Sequence, residues 1–167
     1  MSLLDPDALR EAYEDWKVRI GQMHDHANPQ RNETADLHHP AKPRSRWRVG
    51  LLTTAGAHVD GQEPFDITSP HGDASLREIP DDVAMSDIRF SHGHYDTTRA
   101  EDDPNVVLPI EPLRALVDDG DIGSASPVHV GMMGWNPDPT DVIRSGAPAV
   151  VDMFASHDVD VVVMSPG

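Results

Sequence analysis

Apolar positions along this chain follow two rhythms. Leu9, Tyr13, Trp16 and Ile20 fall at helical spacing. Asp5-Pro6 supplies a cap ahead of them and Gly21 a stop behind, which predicts one amphipathic N-terminal helix. Residues 22–46 carry almost no apolar content and no period, so they read as a long polar surface arm. At Trp47 the rhythm changes. Short apolar runs at Trp47 to Thr53, Ile88 to Ser91, Pro127 to Met132 and Val159 to Met164 predict strands. The last run is fully apolar and suits a central parallel strand buried on both faces. Between the runs, Pro109-Ile110-Glu111-Pro112 opens a helix through Leu113, Leu116 and Val117 that Asp119-Gly120 closes. Asp138-Pro139 caps another that runs toward His157, with Pro148 expected to kink or divide it. The Pro- and Gly-containing stretch 60–82 reads as loop.

Strands alternating with helices predict an α/β fold: one domain over residues 47–167, with a mainly parallel sheet flanked by helices, after the helix and arm of residues 1–46. Right-handed crossovers bring the carboxyl ends of parallel strands to one edge. The loops leaving Thr53, Ser91, Gly131 and Ser165 are therefore expected to converge. A strand ending in Ser165-Pro166-Gly167 ordinarily runs on into a functional loop, so the domain is expected to be the N-terminal portion of a larger one. With a central-looking strand placed last, the chain is expected to aggregate or dimerise.

Composition narrows the chemistry. Residues 1–48 carry eight Lys/Arg and eight Asp/Glu, and residues 49–167 carry five against twenty-one, so the net charge of −16 sits in the second part. Such a field repels phosphate backbones and anionic lipid, which argues against nucleic-acid and membrane binding. The basic cluster Lys42, Arg44, Arg46, Arg48 reads as a solvated approach to the first strand. There is no run long and apolar enough to span a bilayer and no secretory signal at the acidic N-terminus, which suggests a cytoplasmic protein. The absence of cysteine removes disulfides, thiolate nucleophiles and Cys-ligated zinc from these residues.

Two polar stretches sit where an α/β protein builds its site. Thr53-Thr54-Ala55-Gly56, leading on to His58, offers hydroxyls and backbone N–H groups to a carboxylate, or it is a plain Gly turn. His92-Gly93-His94 puts two imidazoles on one side of an extended chain beside Tyr95 and Asp96. They can hold a metal, transfer protons or orient a carboxylate. Glu63 and Asp66 are either solvated loop carboxylates or a base near the first stretch. His24, His26, His38 and His39 read as solvated loop histidines. No Gly-x-Gly-x-x-Gly, Walker-type lysine loop or Gly-x-Ser-x-Gly elbow is present.

Several ordered blocks carry a resemblance: Leu52-Thr53-Thr54-Ala55-Gly56, Gly61-Gln62-Glu63-Pro64-Phe65, Ser75-Leu76-Arg77-Glu78-Ile79-Pro80, Ser91-His92-Gly93-His94-Tyr95-Asp96-Thr97 and Asn105-Val106-Val107-Leu108-Pro109. Gly120-Asp121-Ile122-Gly123 and Met133-Gly134-Trp135 extend the set. Together they resemble the selenoprotein B family of the glycine, sarcosine, betaine and D-proline reductases, from about Trp47 to the last residue. The resemblance implies an α/β reductase-like domain acting in reductive cleavage of a C–N bond in an amino acid or N-methylated glycine. In that family the run resembling Val161 to Gly167 is followed directly by selenocysteine or cysteine, the nucleophile. Selenocysteine is encoded by a codon otherwise read as stop, so the nucleophile is expected directly after Gly167 and this chain alone is expected to be inactive. The implied roles are proton transfer or orientation for His92 and His94, and substrate binding for Thr53, Thr54, Gly56, His58, Glu63, Tyr95 and Asp96. No metal or cofactor is expected in this chain; a pyruvoyl group is expected on a partner subunit of a homo- or hetero-oligomer, with a small amine or amino acid as substrate. The alternatives are a non-catalytic binding or scaffold protein that retains the pocket, and a metal-dependent enzyme built on His92 and His94.

Overall fold

The structure, a computed structural model, describes residues 39–93, 95–137 and 139–167. The predicted N-terminal helix, most of the polar arm with His24, His26 and His38, and the site candidate His94 lie outside the described residues.

Strand β1 (Arg48–Thr53) is almost wholly buried and organises the sheet. Strand β7 (Val161–Ser165) runs parallel along its whole length, from Val49 opposite Val161 to Thr53 opposite Ser165. Strands β5 (Ser124–Ala125) and β6 (Val128–Gly131) also pair parallel with β1, first at Arg48 and Val49 and then at Leu52 and Thr53. Strand β3 (Arg77–Pro80) lies antiparallel against β6. The sheet is therefore mixed, which corrects the expectation of a mainly parallel one. Two particulars account for it. The stretch 60–82 contains β3, whose single buried residue is Ile79. The predicted strand at 88–91 leaves this sheet: β4 (Ile88–Phe90) pairs antiparallel with β2 (Ala57–Val59) as a separate ribbon. Only Ile88 of β4 is buried, and a strand covered on one face suits an antiparallel ribbon, not the interior of a parallel sheet.

Alternation along β1 sends its side chains into two cores. Val49 and Leu51 pack with Ile110 and Leu113 of helix α2 (Ile110–Asp118), while Leu52 packs with Val130, Met132 and Phe154 of helix α3 (Ala147–Ser156). Helices thus cover the two faces, as an α/β fold requires. A short helix α1 (Thr98–Asp102) precedes α2. Pro148 divides the last helical stretch: residues Val142–Gly146 wind as a π-helix and α3 proper starts with the proline in its first turn. Proline has no N–H for the i→i−4 ladder, so the turn before it widens.

Strand β7 departs from the sequence reading. It was expected to be buried on both faces, yet Val162, Val163 and Met164 are 37%, 46% and 68% exposed. Among the described residues β1 is its only strand partner, so the apolar run forms a margin of the sheet.

One buried polar group locks the other side of β1, where β6 lies between β1 and β3. The dipeptide Ser126-Pro127 separates β5 from β6, and the backbone N–H of Leu51 donates to Nδ1 of His129 at 3.2 Å. His129 is fully buried, and its Nε2 lies 3.0 Å from a carboxylate oxygen of Asp81. Because Nδ1 accepts a backbone N–H, the ring proton resides on Nε2 and the imidazole is neutral. Burial pushes its pKa below the ordinary histidine value, with the Asp81 hydrogen bond acting in opposition. The basic cluster ahead of β1 is also used internally. Lys42 pairs with Asp160 at 2.8 Å, Arg44 with Asp121 at 2.7 Å, and Arg48 donates to the His157 carbonyl at 2.7 Å.

Candidate functional site at the carboxyl edge of the sheet

The ends of β1, β4, β6 and β7 meet around Ala55. The Thr54 N–H donates to the Ser165 carbonyl at 3.1 Å, and the Gly56 N–H to the Met132 carbonyl at 2.8 Å. The Ser91 N–H donates to the Gly56 carbonyl at 2.9 Å, and Ala55 bridges to Met133. Each loop is thereby fixed by main-chain bonds before any side chain acts. Glycine makes two of these approaches possible. Gly56 has a positive φ of 73°, and a Cβ there would stand 2.2 Å from the Ser91 carbonyl oxygen. A Cβ on Gly167 would stand 2.4 Å from the Ala55 Cα.

Several of the predicted site residues come together here. Thr53 is fully buried, and its hydroxyl accepts from the Ala55 N–H at 3.2 Å, which makes it a structural group of the turn. The Thr54 hydroxyl oxygen accepts from the Gly167 N–H at 3.3 Å, so its own proton is available to donate onward. Tyr95 donates to the Ala55 carbonyl at 3.1 Å, and the His92 ring meets the Tyr95 ring edge-on with centroids 4.6 Å apart. Burial, with the charge of Glu101 adding to it, pushes the Tyr95 phenol above its ordinary pKa. The phenol is therefore held as a donor.

His58 lies behind this edge. It is 5% exposed, its Nδ1 is 3.3 Å from the Gly56 carbonyl, and its ring meets Phe65 edge-on. Burial pushes its pKa down, opposed by the hydrogen bond to the Gly56 carbonyl, so the ring is neutral near pH 7. Glu63 contributes its main chain: its carboxylate side is exposed, while its carbonyl accepts from Arg77 Nε at 2.6 Å. Asp96 is exposed, and it accepts from the N–H of Thr98 at 3.0 Å and its hydroxyl at 2.6 Å, an Asx turn that starts α1. That hydroxyl bond first, then the Thr98 N–H, holds the Asp96 carboxyl below the usual range. Among the described residues, no three His, Asp or Glu side chains gather to hold a metal.

Two supports escaped the sequence reading. Arg77 stacks on Phe65, with its guanidinium carbon 4.4 Å from the ring centre, and donates to the Glu63 and Pro64 carbonyls and to the Ser75 hydroxyl. The blocks Gly61 to Phe65 and Ser75 to Pro80 are thus one clamp around His58. The Ser165 hydroxyl donates to the Val107 carbonyl, tying β7 to the Asn105 to Pro109 block. Co-occurrence of the blocks in order was the available signal; their contacts were not. An apolar groove of about 730 Å³ opens beside Thr54, between α3 and β7.

With this geometry established, comparison with known proteins decides the family. The sequence model described as glycine/sarcosine/betaine reductase selenoprotein B matches residues 29–166. The chain belongs to that family. It is 33% identical over 119 residues to the D-proline reductase subunit gamma of Acetoanaerobium sticklandii, covering 71% of this chain and 48% of that one. It is 26% identical over 129 residues to the glycine reductase complex component B subunit gamma of Symbiobacterium thermophilum, covering 75% of this chain and 30% of the relative. The corresponding Carboxydothermus hydrogenoformans subunit is 25% identical over 127 residues, with coverage of 74% and 29%. The chain therefore spans less than half the length of these relatives. No solved structure matches it. No described helix is long and apolar enough to cross a membrane.

Proposed function

We infer that this selenoprotein B family chain is the substrate-cradling part of a reductase-complex subunit that reductively cleaves the C–N bond of an amino acid or N-methylated glycine. The observation that carries the reading is the family match over 29–166, together with the meeting of its strand ends around Ala55. Such a reaction needs a soft nucleophile at the α-carbon, a hold on the carboxylate and a proton for the departing amine. These residues include no cysteine, so a selenol or thiol has to come from outside them, charged at neutral pH by its low pKa. A pyruvoyl group on a partner subunit would hold the amine during the reaction.

This chain's own residues supply the remaining parts. Thr54, with its hydroxyl proton available beside the Gly167 N–H, binds the substrate carboxylate at the strand ends. His92, beside a Tyr95 held protonated, transfers or relays the proton. His58 and Thr53 set the Gly56 turn from behind. The test is turnover by the purified native complex with D-proline, glycine, sarcosine and betaine, each with a dithiol donor. Release of an amine or ring-opened amino acid with matching dithiol oxidation supports the reading. Absence of dithiol-dependent cleavage with all four contradicts it.

A further inference from the structure

The margin of the sheet at β7 lacks the features that guard a free edge. Natural edge strands are short, charged, bulged or interrupted by proline. Here Val161-Val162-Val163-Met164 is an unbroken apolar run paired along its full length with β1, and among the described residues β1 is its only strand partner. Both faces of the run are apolar. Val161 and Val163 stand opposite Val49 and Leu51, and Val162 and Met164 opposite Gly50 and Leu52. The Val162 and Met164 side chains line the groove of about 730 Å³, whose other wall is Val150, Val151 and Phe154 of α3. Of its lining, only Thr54 and Asn136 carry polar side chains. Val151 and Met164 are 64% and 68% exposed. A strand apolar on both faces beside an apolar slot parallel to a helix has the form of an interior strand awaiting a neighbour.

A second copy of this chain fits poorly there. Each copy carries a net charge of −16, concentrated in residues 49–167, so two copies meeting edge to edge repel. The relatives indicate a better occupant. The match runs through residue 166, so β7 belongs to the shared fold, yet the chain spans only 48% of the D-proline reductase subunit gamma. We propose that the β7 edge and the α3 groove are an interaction surface for a polypeptide equivalent to the unmatched part of that relative, which adds a strand to β7 and lays the apolar face of a helix beside α3. The proposal rests on the reductase-complex reading above and names the partner surface of that same site, since the groove opens beside Thr54.

The experiment uses the full chain in its own cells, with a photoreactive amino acid at Val162 in the groove or at Leu116, exposed on α2, as control. Crosslinked peptides are then sequenced. The expected result is a crosslink from Val162, and none from Leu116, to a peptide that aligns with the unmatched part of the D-proline reductase subunit gamma. Val151→Glu is expected to lower that crosslink about tenfold while the melting temperature stays unchanged. A crosslink to β7 of a second copy, to residues 1–38 of the same chain or to an unrelated protein overturns the proposal, as does no crosslink. Turnover by the native complex without the crosslink defeats the surface alone. The crosslink without turnover defeats the reductase reading alone.

Discussion

The backbone N–H of Leu51 ends on the Nδ1 of His129, 3.2 Å away, at the place where Ser126-Pro127 separates β5 from β6. This bond exists only while the imidazole is neutral, because a protonated Nδ1 offers a hydrogen where an acceptor is needed. Burial lowers the folded-state pKa of His129, and burial also lowers that of His58. The unfolded chain, with histidine near about 6.5, therefore binds protons first as the pH falls. The stability contribution is complete above that value and declines as the pH drops below it toward the folded values. Thermal melting at pH 7.5 and at pH 5.5 is expected to show a lower midpoint at the acid pH. His129→Phe is expected to flatten that slope and to cost about 1–3 kcal/mol at neutral pH, because the Leu51 N–H loses its buried acceptor. An unchanged slope in this variant would remove His129 from the account.

Arg77 is expected to hold the loop between β2 and β3. It reaches the Glu63 carbonyl at 2.6 Å and the Ser75 hydroxyl at 2.8 Å while lying over Phe65. Arg77→Lys keeps the charge and loses the planar fork, so it is expected to weaken the clamp almost as much as Arg77→Ala, by about 1–3 kcal/mol. Hydrogen exchange over residues 63–76 is the readout. Faster exchange there, with the β1 amides unchanged, is the expected pattern.

Much of this fold was legible in the sequence where an element carries its own punctuation. Strand β1 is a compact apolar run, α2 opens on Pro109 and closes near Gly120, and Pro148 does divide the last helix. Strand β3 was not legible, because Ile79 is its single apolar residue and the ladder to β6 makes it a strand. The place of β7 was misread for a different reason. An apolar run reports a preference for burial and says nothing about which neighbours are there to provide it. At the site, the strand-end rule accounts for Thr54 and Gly167, whereas His92 and Tyr95 arrive on the separate β2–β4 ribbon, brought in by the Ser91 N–H on the Gly56 carbonyl and the Tyr95 hydroxyl on the Ala55 carbonyl. Glu63 and Asp96 escaped it because main-chain bonding engages their surroundings locally, through Arg77 and through the Thr98 turn.

Gly56→Ala tests the close crossing of the strand ends. The substitution puts a Cβ into the Ser91 carbonyl at a φ of 73°, and is expected to destabilise the fold by about 2–4 kcal/mol. Chemical denaturation measures this directly. A change smaller than about 0.5 kcal/mol, the range of ordinary surface substitutions, would mean that Ser91 does not lie against Gly56.

Within an active complex, His92→Ala and His94→Ala are expected to lower turnover by about ten- to ten-thousandfold if these groups move the proton. Tyr95→Phe removes the donor to the Ala55 carbonyl and is expected to reduce turnover with little change in melting temperature. Wild-type turnover in both histidine variants would take them out of the mechanism.

The central claim is that these residues bind substrate and move protons but carry no redox-active group. Dithiol-driven turnover, measured on the chain ending at Gly167 and on one continued with cysteine or selenocysteine directly after it, each with the partner subunits present, tests this most directly. The account predicts no turnover from the first and measurable C–N cleavage from the second. Turnover by the first chain would contradict it.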